Sequence, residues 1–201
     1  MHLRTLAAAT FVVATVVATV ATATPAGAET RALNPPPPTG FGYTCSTVGS
    51  GTICRAAETV TYGPDPTDIP CGFDVYDAGT VRVRRARYYD TDGNLTRRVQ
   101  HYVVPFGQWS NPASGRTVQY AQSNVEIDVL DTPGDLHTST LAVTGQIVIR
   151  GATGAPVLFA TGRQLFYDES ELLSTHGRND LMAAFFQGDP TALDGVCNAL
   201  S

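Results

Sequence analysis

The chain has 201 residues, with 13 Arg and Lys against 18 Asp and Glu, a formal net charge of −5 and 43% hydrophobic residues. No lysine occurs, and an acidic balance without a basic stripe argues against a nucleic-acid partner. That length and composition suit one globular domain behind a leader, large enough to fold without a metal.

The leader is residues 1–28. Arg4 precedes an apolar, threonine-interrupted run from Leu6 to Val20, and Ala26-Gly27-Ala28 supplies a small-x-small cleavage site. The rival reading is a membrane anchor, but the run falls short of the ~20 residues a span needs. Export is therefore expected, with no membrane span. Losing Arg4 with the leader takes the charge from 13 − 18 = −5 to 12 − 18 = −6. Residues 29–42, centred on "NPPPPTG", read as a stiff proline-rich linker, and residues 43–201 as a single β domain.

All four cysteines follow the leader. An even count in an exported chain implies two disulfides, and Cys45–Cys54 with Cys71–Cys197 is the favoured pairing of three. The first closes a loop around Gly49-Ser50-Gly51, and the second ties the start of the sheet to the chain's end. Chain-entropy estimates give roughly 2.7 and roughly 4.9 kcal/mol for them. Zinc ligation is the alternative, weakened by the lack of C-x2-C spacing.

"YTCSTVGSGTICRAA" reads as a hairpin and "YGPDPTDIP", 62–70, as a proline-broken loop. Strands follow at 80–89, 95–106, roughly 117–130, 139–150 and 156–167, joined by short or glycine-rich turns. Strand 139–150 alternates cleanly, with Leu141, Val143, Ile147 and Ile149 on one side. Short connections make neighbours antiparallel. The expectation is an all-β antiparallel meander closing into a small barrel, with a β-sandwich as the alternative. Apparent changes of apolar parity in 117–130, from Val118 and Tyr120 to Val125, Ile127 and Val129, point to a bulge. The segment "DPTALDGVCNAL" predicts a short C-terminal helix, capped by Asp189 with Pro190 in its first turn.

"VRVRRARYYDTDGN" holds four arginines in six positions. A straight strand would bury two of them with Val81 and Val83, so a bulge near Arg84–Arg85 is expected to turn all four outward. An Asp92-Gly93 turn sets opposite residues to sum to 185, which places Arg87 against Arg98 and Tyr88 against Arg97. Glu126 and Asp128 are the acidic neighbours that would relieve the Arg87–Arg98 contact. Together these five residues predict an exterior ionic stripe of Arg85, Arg87, Arg98, Glu126 and Asp128.

His101 shares parity with Leu95, Val99 and Val103, and so does Arg97. With Tyr88 across the hairpin, His101, Arg97 and Tyr88 form a candidate ligand-binding set at one end of a barrel. The bland reading is a hydrogen-bonded core histidine beside a rim arginine. Trp109 is placed in a loop, as a ligand platform or a lid over the core. Asn94-Leu95-Thr96 fits a glycosylation sequon in the turn. No serine-hydrolase elbow, Walker A or dinucleotide glycine pattern occurs, and His137 and His176 share no ligand spacing with His101. No catalytic residue, metal or cofactor is therefore assigned.

The "CGFDV" opening, the "RYYDTDGNLTRRVQH" hairpin, the "VTGQIVIRG" strand and the late cysteine resemble a recurring group of small secreted actinobacterial proteins. The resemblance spans roughly residues 71–200 and implies a fold and a compartment, but no activity. The sequence thus points to a secreted, non-enzymatic binding module for a small apolar ligand or a cell-surface partner. The alternatives are an isomerase- or cyclase-like barrel enzyme and a structural surface protein.

Overall fold

The computed structural model describes residues 31–178 and 189–201. Eight strands form one antiparallel sheet in chain order: β1 (Thr44–Val48), β2 (Gly51–Thr67), β3 (Val75–Tyr89), β4 (Leu95–Asn111), β5 (Arg116–Leu130), β6 (Ser139–Arg150), β7 (Pro156–Tyr167) and β8 (Glu171–Arg178). β1 and β8 are its two edges. β6 and β7 match the sequence reading. β2 runs on through Gly63-Pro64 by a bulge between Tyr62 and Asp65, so the expected proline loop is mostly strand. β4 reaches Asn111, which puts Trp109 in a strand and buries it. Among the described residues no helix is long and apolar enough to cross a membrane.

The C-terminus folds as predicted. Asp189 Oδ1 accepts from the Thr191 backbone N–H at 3.0 Å and opens a 3-10 turn, Pro190–Leu193. That turn continues into α1 (Asp194–Leu200). Leu193, Val196 and Leu200 are fully buried, and α1 packs on β5 and β7. Cys71 pairs with Cys197 and Cys45 with Cys54, both as expected.

The face that meets α1 is the inner face. It carries two apolar clusters at opposite ends of the strands. The larger joins α1 to Val75, Trp109, Val118, Tyr120, Ile149 and Leu158. The smaller is Cys54, Tyr89, Leu95 and Leu130, flanked by Leu33 and Tyr43. Residues 31–42, within the stretch read as a linker, make specific contacts as a strap. Asn34 donates its N–H to the Gly93 carbonyl at 2.8 Å and accepts from Leu95 N–H at 2.8 Å, and Arg31 pairs with Asp92 at 2.9 Å.

Two expectations about strand faces fail, for one reason. β5 has no bulge against β6: Val118, Tyr120, Gln122, Asn124, Glu126, Asp128 and Leu130 all share the inner face. The bulges fall in β4 instead, one beside Tyr88 and Tyr89 and others between Val103 and Gly107. The first puts Leu95 on the inner face but Arg97, Val99 and His101 on the outer one. β3 is unbroken at Arg84–Arg85, so Arg85 and Arg87 follow Val83 inward. Val125, Ile127 and Val129 face outward, the last two 41% and 46% exposed.

Candidate functional site

Between the two apolar clusters the inner face is polar. Arg87 stands opposite Arg98, as the turn arithmetic predicts, and Arg98 stands opposite Asp128. Arg98 pairs with both Asp128 and Glu169, and Arg85 pairs with Glu58. Burial alone would lower the pKa of Arg98, but Glu169 and Asp128 more than offset it and hold the guanidinium charged. Arg85 Nε donates to Gln100 Oε1 at 3.1 Å, and Gln100 Nε2 donates to Glu126 Oε2 at 3.3 Å. Tyr102 donates to Gln100 Oε1 at 3.1 Å, and Asn124 Nδ2 to Glu126 Oε1 at 3.2 Å. Burial, with the charge of Glu169 behind it, raises the pKa of Glu126. Of the predicted exterior stripe only the Arg98–Asp128 ion pair forms, Glu58 and Glu169 supply the other counter-charges, and the residues lie inside: Arg87 is 6% exposed and Asp128 3%. Burial turns these pairs from marginal surface contacts into groups whose separation is costly.

Two hollows open on this belt. One, of about 170 Å³, lies under the strap and is lined by Phe41, Tyr43, Arg85, Arg87, Arg98 and Gln100, among others. The Arg85 guanidinium sits 4.4 Å from the centre of the Phe41 ring. Tyr89 ties the strap down by donating to the Pro35 carbonyl at 3.0 Å, while accepting from Arg87 Nε at 2.9 Å. The other hollow, of about 120 Å³, has paired Gly145 and Gly162 among its lining, with the amides of Gln122, Asn124 and Gln164 around them.

At the helix end a second polar group sits inside the larger cluster. Tyr62 and Tyr120 hydroxyls meet at 2.6 Å, and Tyr120 donates to Asp77 at 2.9 Å. Trp109 stands opposite Asp77 across β3 and β4, and its ring lies 5.2 Å from that of Tyr120. The two tyrosines reach each other across β3 and β4 because Gly79 and Gly107 are paired there. A Cβ on Gly107 would sit 2.1 Å from Tyr120 Cζ, and one on Gly79 would sit 2.8 Å from the Tyr62 hydroxyl. Burial raises the pKa of Asp77, Tyr62 and Tyr120 alike. Each group is biased toward holding its proton, which suits a locked network better than a proton shuttle.

The expected set of His101, Arg97 and Tyr88 is on the outer face. Arg97 stacks on Tyr88 at 4.1 Å from the ring centre. His101 Nε2 lies 3.3 Å from Ser123 Oγ, opposite Arg84 and Val125. None of the three lines either inner hollow. His137 lies 3.6 Å from Asp168 in exposed sequence, and among the described residues no group of three or more His, Cys, Asp and Glu side chains could hold a metal. Phe41, Tyr43, Tyr62 and Asp77 go unmarked in the sequence, since all four lie in stretches read as linker or loop, or at their margins. The pairing of Gly79 with Gly107 is the one usable signal, once the register is known. No family model, curated protein or solved structure matches the chain.

Proposed function

We propose that the domain is an exported, non-enzymatic binding module that takes a small ligand on the polar belt of its inner face. The observation that carries this is the break in the core: two apolar clusters close the ends, and between them lie hollows lined by arginine and amide side chains. A purely structural sheet gains nothing from polar groups there, since each must be desolvated and paired. In this reading the sheet coils toward a small barrel around the belt. Support comes from the helix-end cluster, which joins Ile69 and Val75 to Leu158 and Ala160 although three strands separate β3 from β7. The two disulfides and the leader-like start favour export. An isomerase-like role using His101, Arg97 and Tyr88 has less support, because that set lies away from both hollows.

Thermal-shift screening of the full chain against lipids, sugars and small acids and amides tests the reading. A ligand at a hundred times its Kd should add roughly 2.7 kcal/mol of stability. Backbone NMR should place its shifts around Gln122, Gly145 and Arg87. Ligand shifts confined to the outer face, or no stabilisation by any class, would overturn it.

A further inference from the structure

The three arginines of the belt are not equivalent. Arg85 has Glu58, and Arg98 has Asp128 and Glu169. Arg87 has no carboxylate among the described residues, though it is the most buried of the three at 6% exposure. Its contacts are a hydrogen bond from Nε to the Tyr89 hydroxyl and that ring at 6.0 Å from Cζ. Among the described residues its two terminal nitrogens have no hydrogen-bond partner and are not sealed off, and the side chain borders the 170 Å³ hollow under the strap. A largely buried guanidinium whose outer edge meets only the hollow is a place where a negatively charged ligand group can be held.

Resting on the binding-module reading, we propose that this hollow binds a small monovalent carboxylate, gripped in bidentate fashion by the two terminal nitrogens of Arg87. With Nε committed to Tyr89, the free edge of the guanidinium is the planar Nη1/Nη2 fork, whose spacing matches the two oxygens of a carboxylate. Charge count favours a monoanion. Glu58, Asp128 and Glu169 answer Arg85 and Arg98, and Glu126 stands one residue pair away on β5. These carboxylates already match or exceed the three arginines, so the belt has no surplus positive charge. What stays open is the fork of Arg87, and a dianionic phosphate is disfavoured there more strongly than a monoanion. The strap supplies apolar walls through Pro38 and Phe41, with Tyr43 just beyond it. The volume is below the ~300 Å³ at which drug-sized pockets begin, so the acid is short or enters by its carboxylate end only.

Titration calorimetry and NMR on the full chain, with acetate, benzoate, benzamide and inorganic phosphate, decide this. Acetate or benzoate should bind one to one, benzamide at least tenfold more weakly than benzoate, and the Arg87 side-chain resonances should shift with the acid. Arg87→Met should abolish acid binding. Arg87→Lys, which keeps the charge and loses the fork, should weaken it at least tenfold, and Arg97→Met on the outer face should leave it unchanged. Equal binding of benzoate and benzamide, unaffected by Arg87→Met, would overturn the carboxylate assignment and leave the binding module standing. So would tighter binding of phosphate, which would mark a general oxyanion site. Failure of both acids to bind, while neutral ligands still shift the inner face, likewise removes this inference alone. No shift there with any probe or screened ligand removes both. The acid-against-amide comparison uses the unsubstituted protein, so it stands even where a variant fails to fold.

Discussion

The inner face is closed differently at its two ends. At the helix end, α1 and the 3-10 turn bury Leu193, Val196 and Leu200 completely against β-strand residues, and a disulfide spanning 126 positions fastens them. At the strap end only Cys54, Tyr89, Leu95 and Leu130 form the cluster, beside a ladder of buried charges. Its disulfide spans 9 positions within one hairpin. The contrast suggests that stability is concentrated at one end, which leaves the other free to hold groups that fold poorly but bind well. The sharpest way to break this view is to remove the disulfides separately. Replacing Cys71 and Cys197 together by Ala should cost roughly 4.9 kcal/mol, against roughly 2.7 for Cys45 and Cys54, by loop-closure entropy. Denaturant midpoints measure both. A larger loss at the strap end would reverse the assignment of roles.

Within the strap end the arginines sharpen the comparison. Arg98→Met strands Asp128, whose Oδ1 is buried and already has no hydrogen-bond partner. The expected loss is about 3–5 kcal/mol, as for other broken buried pairs. Arg87→Met removes an unpaired charge and leaves no acid behind, so the ligand-free protein should be unchanged or more stable. Chemical denaturation of the two variants side by side checks this. A loss for Arg87→Met equal to that for Arg98→Met would mean that Arg87 has structural work that its visible contacts do not account for.

Much of this arrangement is legible in the sequence, but its handedness is not. Arg87 pairs with Arg98 and Tyr88 with Arg97 as a two-residue Asp92-Gly93 turn predicts, but by another route. The turn has three residues, with Asp90 bonded to Asn94 and Tyr89 paired with Leu95, and one extra residue in β4 restores the expected register. The same register, carried into β5, brings Asp128 to Arg98. Which side these residues face depends on one extra residue in β4 next to the turn, and a bulge of that kind leaves no mark in hydrophobic alternation. It separates Leu95 from Val99 and so exchanges inside for outside as far as Val104, after which the second irregularity in β4 returns Gly107, Trp109 and Asn111 to the inner face. The apolar Val125, Ile127 and Val129 then mislead, since β-branched residues suit an exposed strand face as well as a core. Tyr62 escapes notice because proline and glycine at positions 63–66 read as loop, whereas a bulge accommodates them within β2, and Asp77 because the strand expected from residue 80 in fact begins at Val75.

The smallest expected effect concerns the helix end, where polar groups are locked rather than available. Burial raises the pKa of Tyr120 from the ordinary value of 10.0, and that of Tyr62 in the same direction. Above pH 10 the unfolded chain releases these protons while the folded chain keeps them. The folded state then binds more protons, so stability must fall as pH rises, and below pH 10 these two groups contribute no slope. Tyr89 and Tyr102 at the strap end are raised as well, so both ends contribute to the alkaline limb. Tyr120 is also held by Tyr62 and by Asp77, whose negative charge opposes ionisation. Tyr120→Phe should cost about 2 kcal/mol at neutral pH, for the two hydrogen bonds lost to Tyr62 and Asp77, and should flatten the alkaline limb more than Tyr102→Phe does. Urea midpoints between pH 7 and 11 measure both terms. An unchanged alkaline slope in Tyr120→Phe would show that the hydroxyl ionises as freely folded as unfolded, and the network at the helix end would then be open to solvent rather than sealed beneath α1.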